Sequence, residues 1–223
     1  MSRRAWIIVA VVALVVALGG AAAWYAFGGS DEAGPALPSR STGASGGTTA
    51  DGQWVVTSDG SFVGYRISER FAGGLADIEA VGRTSDVTGG LTVSGRSVSD
   101  VSIEADLRTL ESDKAPRDNY LHTKSLETDT YPTARFVAAG PITLPALTRG
   151  AEIERTLDGE FTLHGVTKPL SIPVTARWNG TTVDVIGTAP IVLADYGIAA
   201  PQTPLVSVQG TGSLEIQLVL RKG

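Results

Sequence analysis

Three residues of this sequence combine useful chemistry with a suggestive setting: Arg117, Asp118 and His164. A guanidinium is permanently charged and can hold two ligand oxygens at once, and a neighbouring carboxylate can fix its orientation. The Arg117–Asp118 pair therefore predicts contact with a phosphate or a quinone oxygen. The alternative is a pair that ties its own segment to the rest of the fold. The two roles are compatible, because a residue that orders a lid also shapes the entrance beneath it.

The histidine lies in Leu163-His164-Gly165, immediately before a predicted turn. As a general acid or base it would need a nucleophile or an activating partner. The chain has no cysteine, and no serine lies in a catalytic motif within a strand pattern. The pattern favours a hydrogen-bonding histidine at the end of a strand, and an acid–base site shared by His164 and Asp118 is the alternative.

The composition argues against several classes of site. The absence of cysteine rules out disulfides, thiolate catalysis and cysteine-ligated zinc. Two histidines leave room only for a site of one histidine with carboxylates, so we predict no metal and no cofactor. The net charge is −5 and no basic run alternates with aromatic residues, so nucleic-acid binding is not expected.

The Arg–Asp pair lies where the strand pattern of the chain stops. Lys114–Phe136 is a polar segment between two stretches that alternate apolar and polar residues. Pro116 suits the first turn of a short helix, because the N–H groups of that turn have no helical partner. We predict a short helical lid at the mouth of a β-barrel, and segments of this kind often carry function.

The rest of the domain reads as strands with one face in a core. Many Gly, Val and Thr residues predict an all-β fold of about eight to ten strands, and an antiparallel barrel would remove the exposed edges of such a sheet. Asn179-Gly180 between two strand patterns predicts a two-residue hairpin. Small inward residues such as Gly64, Ala105 and Ala134 would leave a channel open, and a filled core is the alternative.

The chain begins with a pattern typical of a membrane anchor. Residues 1–4 contain two arginines, and the uncharged run from Ala5 to Phe27 would span about 34 Å as a helix at about 1.5 Å per residue. Aromatic residues close the run, as they do at bilayer interfaces. We predict a single-pass transmembrane helix over 5–27, with the N-terminus in the cytoplasm and the C-terminal domain outside the cell membrane. A cleaved signal peptide, which would leave a secreted or periplasmic protein, is the alternative.

Residues 28–51 are rich in Gly, Ser, Thr, Pro and Ala and predict a flexible linker. Its root-mean-square reach of about 27 Å would hold the domain near the membrane without fixing its orientation. Residues 52–223 would form the single folded domain.

Several motifs of this domain occur together in a known family. They are Arg117-Asp118-x-x-Leu121, Ser125-Leu126-Glu127 and Tyr131-Pro132-Thr133-Ala134-x-Phe136, then Gly159-x-Phe161-Thr162-Leu163-His164-Gly165-Val166-Thr167-Lys168-Pro169 and, more weakly, Asp195-Tyr196-Gly197-Ile198. With Gln53-Trp54 at the start of the domain, they resemble the YceI-like family of exported lipid-binding proteins. The resemblance covers nearly all of residues 52–223.

The resemblance implies an extended, lipocalin-like antiparallel barrel that encloses a polyisoprenoid or a similar long-chain lipid, such as a polyprenyl phosphate or a prenyl quinone. Arg117, Asp118 and His164 would then contact the lipid head group. The inward side chains that would line the tail are Val63, Tyr65, Ile67, Ile103, Leu107, Tyr120, Leu121, Phe136, Phe161 and Leu163.

This resemblance favours a lipid-binding protein over an enzyme, and the apolar run over 5–27 adds a membrane tether that many members of the family lack. We therefore predict a membrane-tethered, extracytoplasmic lipid-binding protein. Two alternatives stay open. One is a hydrolase or isomerase that acts on an isoprenoid through His164 and Asp118, and the other is a structural envelope domain with a filled core. The sequence leaves the oligomeric state and the identity of the lipid open.

Overall fold

The computed structural model describes Ser30 and residues 32–39, 49–71, 77–202 and 206–223. The described chain is predominantly β-structure. Its strands are β1 (Gly52–Phe71), β2 (Asp77–Thr84), β3 (Val87–Ser94), β4 (Ser97–Asp106), β5 (Glu111–Ser112), β6 (Thr133–Ala138), β7 (Ile142–Thr143), β8 (Glu152–Leu163), β9 (Val166–Trp178), β10 (Thr182–Val192) and β11 (Val206–Lys222).

The strands form a closed antiparallel barrel with eight strand positions. β2 and β3 lie end to end along β1 and share one position, because β1 pairs with β3 through its first residues and with β2 further along. Pairing then proceeds through β4, β6, β8, β9 and β10 to β11. β11 pairs with β1 along most of its length and closes the ring. The predicted all-β antiparallel barrel of about eight strands is confirmed.

The core follows from the alternation of side chains along each strand. In β4, Val101 and Ala105 are buried, whereas Glu104 is partly exposed. Successive strand residues face opposite sides of the sheet, so the apolar set of every strand converges on the barrel interior. Trp54 is fully buried in β1 and donates its indole N–H to the Ala50 carbonyl oxygen at 2.8 Å.

Two local patterns in β1 differ from the sequence-based expectation. Ser58-Asp59-Gly60 is typical of a turn, but it forms a bulge within a continuous strand. Gly64, predicted to face the channel, lines the interior with its backbone, but a side chain there would point to the outer face, because its neighbours Val63 and Tyr65 point inward. A Cβ at Gly64 would lie 2.7 Å from the Cγ atom of Arg83 on β2. Gly64 therefore leaves room for that arginine on the outer wall.

The polar segment after β5 forms the lid. Helix α1 (Ala115–Tyr120) carries Pro116 in its first turn, and a π-helical turn over Leu121–Ser125 follows it. The predicted short helix opened by Pro116 is confirmed. At the other end of the barrel, Asn179 donates its backbone N–H to the Thr182 carbonyl oxygen at 2.9 Å and Gly180 has a φ of 94°. The predicted hairpin is present and joins β9 to β10, but Asn179 and Thr182 close it, so its two central residues are Gly180 and Thr181.

Among the residues that the structure describes, none belongs to a helix long and apolar enough to cross a membrane. The predicted cytoplasmic start and transmembrane run, residues 1–4 and 5–27, lie outside those residues. The anchor therefore stays a prediction.

Part of the predicted linker lies against the barrel. Ser30 and residues 32–39 run along its outer wall, and we call them the N-terminal strap. Arg83 donates a hydrogen bond to the Ala33 carbonyl oxygen, and Ala36 donates its N–H to the Gln217 side chain at 3.0 Å. The strap therefore differs from a free tether, because long polar side chains of the wall bind its backbone.

Candidate functional site

The barrel interior holds two adjoining cavities. The first has a volume of about 320 Å³, includes Tyr120 and Leu121 in its wall, and is called here the lid-end cavity. The second has a volume of about 140 Å³, extends to Trp178 beside the β9–β10 hairpin, and is called the hairpin-end cavity. The residues that line both are Val63, Ala134, Phe161 and Leu214. The two cavities therefore follow one another along the barrel.

The hairpin-end cavity is lined mainly by aliphatic and aromatic side chains. Ile103, Phe136, Leu157, Ile172 and Leu218 form much of its wall. At its far end lies Trp178, whose buried indole N–H has no hydrogen-bond partner among the described residues. Such a space suits an apolar chain, and the polar residues in its wall are Thr148, Arg155 and Arg177.

The lid-end cavity combines an apolar wall with a few polar groups. The polar or charged residues in its wall include Tyr65, Glu69, Thr84, Arg117 and Ser125. Its volume lies near the lower end of the range for small-molecule sites, which are typically mostly apolar with a few polar groups that orient the ligand. The arrangement can therefore accommodate a slim molecule with one polar end.

All ten residues predicted to line a lipid tail lie at these two cavities. Val63 and Phe161 contribute to both, and Ile103 and Phe136 to the hairpin-end cavity. The others, Tyr65, Ile67, Leu107, Tyr120, Leu121 and Leu163, contribute to the lid-end cavity. The structure thus brings the predicted set together, and their contact with a lipid stays a prediction.

Arg117 lies at the lid-end cavity and is already paired. Its guanidinium contacts both carboxylate oxygens of Glu69 on β1 at 3.3 Å and Asp113 at 2.6 Å. Its side chain is only 13% exposed. Burial lowers the pKa of Arg117, but the hydrogen bond to Glu69 and the charge of that carboxylate outweigh it and raise the pKa. The residue therefore ties α1 to the barrel wall, one of the two roles expected from the sequence.

Asp118, which was predicted to orient Arg117, forms its hydrogen bonds with Ser112 instead. Its carboxylate accepts a hydrogen bond from the Ser112 backbone N–H at 2.8 Å and from the Ser112 hydroxyl at 2.6 Å. Asp118 does not line either cavity. Its contacts fasten the start of α1 to β5 rather than orient Arg117.

His164 occupies the turn between β8 and β9, away from both cavities. One ring nitrogen lies 3.1 Å from the Tyr196 carbonyl oxygen, and the other lies 3.0 Å from the Glu127 carboxylate. The ring also packs against Tyr131, with 4.4 Å between the ring centroids. This histidine joins three loops at the lid end, and it shares no hydrogen bond with Asp118 among the described residues.

Two hydroxyl groups at the lid-end cavity were not predicted as polar contacts. The buried hydroxyls of Tyr65 and Ser125 have no hydrogen-bond partner among the described residues. Burial raises the pKa of the Tyr65 hydroxyl well above its ordinary value, so it stays protonated and can donate. An aromatic residue with a polar tip at an inward strand position is the signal that could have found Tyr65. Nothing in its sequence setting singles out Ser125.

Within the described part of the chain, no cluster of three or more histidine and carboxylate side chains is placed to hold a metal ion. The site consists of an apolar interior, two hydroxyl donors that have no partner among the described residues, and an ion-paired lid. It can hold an elongated molecule by burial of its apolar part and by hydrogen bonds at one end.

Comparison with known proteins finds relatives of this chain in sequence. A family model described as "YceI-like domain" matches residues 54–220. A UPF0312 protein of Pseudomonas savastanoi pv. phaseolicola is 28% identical over 166 residues, which cover 70% of this chain and 82% of the relative. A UPF0312 protein of Shewanella sp. MR-4 is 28% identical over 148 residues, 63% of this chain and 72% of the relative.

Solved structures of low sequence identity share the fold. A polyisoprenoid binding domain from Saccharophagus degradans, implicated in plant cell wall breakdown, superposes with a TM-score of 0.59 at 16% identity over 78% of this chain and 99% of that one. Burkholderia cenocepacia BcnA superposes with a TM-score of 0.51 at 18% identity over 70% of this chain and 95% of that one. At these identities the similarity supports the fold alone.

Proposed function

The chain belongs to the YceI-like domain family, and on this basis we propose that it binds a polyisoprenoid or a similar amphipathic lipid inside its barrel. The observation that carries the proposal is the pair of adjoining cavities, which form an apolar interior with polar groups at the lid end. Each buried CH₂ group contributes about 0.8 kcal/mol, so a long prenyl chain would be strongly favoured there over water. The Saccharophagus domain, which shares the fold, is described as polyisoprenoid binding.

In this proposal the lipid head group lies under the lid and the tail extends toward the β9–β10 hairpin. The hydroxyls of Tyr65 and Ser125, without a partner in the described part of the chain, support this direction, because a quinone or phosphate oxygen would satisfy them. The hairpin-end cavity, lined mainly by apolar groups, would take the far part of the tail. The same cavities argue against the alternative of a completely filled core.

The direct test is mass spectrometry of an organic extract from purified protein that begins at residue 28. We expect a long-chain lipid in a stoichiometric amount, retained through purification. Titration of the delipidated protein with a fluorescent prenyl quinone and a prenyl phosphate should then restore saturable binding of at least one. A protein that carries no lipid and binds neither probe would contradict the proposal.

Replacement of Tyr65 by phenylalanine should have opposite effects on the empty and the loaded protein. The empty protein should gain about 1 kcal/mol in unfolding free energy, because an unpaired buried hydroxyl is removed. Lipid affinity should fall about fivefold, because one hydrogen bond to the head group is lost. Urea unfolding and the lipid titration measure the two effects. Tyr131→Phe, outside both cavities, is the matched control, and unchanged affinity in Tyr65→Phe would remove Tyr65 from the site.

Arg117→Ala should weaken binding of a prenyl phosphate by about ten- to a hundredfold, and binding of a prenyl quinone by less. The prenyl phosphate would lose a charged partner for its head group. The smaller loss of affinity for the quinone would come mainly from a less ordered lid. Far-UV circular dichroism must first show that the variant is folded. Equal loss for both ligands would identify Arg117 as a lid residue only, and no loss for either would remove it from the site.

We further propose that the protein is held outside the cytoplasm by an uncleaved helix over residues 5–27. The length of the apolar run and its aromatic end support this. The mass of the mature protein from membranes should include residues 1–27. A mature N-terminus near residue 24 would show that the run is a cleaved signal peptide.

We propose a binding protein and not an enzyme. His164 and Asp118, the pair that an isoprenoid hydrolase or isomerase would use, hold separate contacts with Glu127 and with Ser112. Turnover of a prenyl substrate that disappears in His164→Ala, while the fold is retained, would favour the enzyme instead.

A further inference from the structure

The N-terminal strap runs along the barrel from the lid end to the hairpin end. The Ser30 backbone N–H donates to the Glu79 carbonyl oxygen at 2.8 Å, and Glu79 pairs with Ser68 on the lid-end half of β1. Near the other end of the strap, the Pro38 carbonyl oxygen accepts a hydrogen bond from Arg177, close to the β9–β10 hairpin. Within the described part of the chain, the strap therefore first meets the barrel at its lid end.

Several contacts between these ends hold the strap to the wall. The Glu32 carboxylate forms an ion pair with Arg83, and the Glu32 carbonyl oxygen accepts from Arg66 at 2.8 Å. Farther along, the Ala36 N–H donates to the Gln217 side chain at 3.0 Å. Because these contacts are spread over the strap, its path along the barrel is defined at several points.

The strap shortens the tether between the barrel and the predicted anchor. The apolar run ends at Phe27, and the first barrel contact among the described residues is at Ser30, so only Gly28 and Gly29 lie between them in the sequence. Three residue steps span at most about 11 Å, even when fully extended. A 24-residue flexible linker would allow any orientation, whereas this short connection does not.

We propose that the lid end of the barrel faces the lipid bilayer and takes up or releases its lipid there directly. This inference rests on the proposed membrane tether. In this orientation the strap leads from the membrane toward the hairpin end. The two ends of the barrel are well separated, because β9 alone spans 13 residues, or about 40 Å of strand at about 3.3 Å per residue.

The surface of the lid fits a bilayer interface. Tyr120 is 43% exposed and also lines the lid-end cavity, so it lies at the boundary between the cavity and the surface. Tyrosine is enriched at the depth of lipid head groups, where its ring is apolar and its hydroxyl is wet. Lys124, exposed on the following π-helical turn, adds a cationic side chain to this surface.

The test uses the full chain, which has no native cysteine, reconstituted in vesicles that contain a lipid with a nitroxide on its head group. A fluorophore is attached at Lys124→Cys on the lid or at Thr181→Cys beside the hairpin, both exposed positions. The label at 124 should lose most of its emission relative to vesicles without nitroxide. The label at 181 should keep nearly all of it.

A second variant separates the strap from the anchor. A flexible Gly-Ser insertion of about twelve residues between Gly29 and Ser30 would extend the reach of the connection to about 20 Å without touching the barrel. We expect this insertion to reduce quenching at 124 and so to reduce the difference between the two labels.

The possible failures can be distinguished. A mature protein whose mass lacks residues 1–27 would overturn the tether and this orientation together. A protein of full mass with equal quenching at both labels, or stronger quenching at 181, would overturn the orientation and leave the tether and the lipid-binding proposal standing.

Discussion

In a titration with prenyl ligands of increasing length, Ala134→Phe should lose the gain in affinity that long tails provide. The wild-type affinity should rise about tenfold or more with each added isoprene unit until the interior is full, at about 0.8 kcal/mol per buried CH₂ less the cost of ordering the tail. In the variant the rise should stop once the lid-end cavity is filled. The longest ligands should then bind at least about a hundredfold more weakly than to the wild type.

The position of Ala134 explains the size of this effect. Ala134 is buried, pairs with Ala105 across β4 and β6, and lines both cavities. A phenyl ring there would project into the passage between the cavities. Overpacking can cost about 1–3 kcal/mol of stability, so urea unfolding must confirm that the variant is folded at the titration temperature.

Val137→Phe is the matched control for this experiment. Val137 lies on the same strand, is 37% exposed and does not line either cavity. The Val137→Phe variant should bind ligands of every length as the wild type does. Retention of the full dependence on tail length in Ala134→Phe would show that the tail does not pass from one cavity to the other.

The second large effect, on stability, is expected at Glu215 on the outer wall of the barrel. Its carboxylate is only 4% exposed and contacts Arg66 at 2.6 Å and Arg83 at 3.0 Å. Gly64 lies between Glu215 on β11 and Arg83 on β2, so their side chains meet across a position without a side chain. Glu215→Gln should lower the unfolding free energy by about 3 kcal/mol, because it leaves two partly buried guanidinium groups without their shared carboxylate.

Urea unfolding measures this loss, with Asp77→Asn as the control. Asp77 is 60% exposed and pairs with Arg70, which is equally exposed, so its replacement should leave the unfolding free energy nearly unchanged. The strap contacts the same two arginines through Glu32, so Glu215→Gln should also loosen the strap. Equal stability of Glu215→Gln and the control would mean that the cluster contributes no more than a surface pair.

The candidate site could be predicted from the sequence only where it depends on local pattern. The inward positions Val63, Tyr65 and Ile67 follow from alternation along one strand, and all three lie at the cavities. The ion pair of Arg117 with Glu69 could not be predicted, because these residues are 48 positions apart and Glu69 lies next to a Gly-rich segment without a clear pattern. The motif around His164 was visible, but its position outside the cavities was not.

The sequence by itself determined the all-β class, the short helix at Pro116, the hairpin at Asn179-Gly180 and the apolar faces that enclose the interior. Each depends on residues close together in the chain, through strand period, turn chemistry or the fixed φ of proline. Only the tertiary structure decided which charged side chains pair, where the interior stays open and how the N-terminal strap lies. Those features depend on strand register and barrel closure, which bring together residues as distant as Arg83 and Glu215, 132 positions apart.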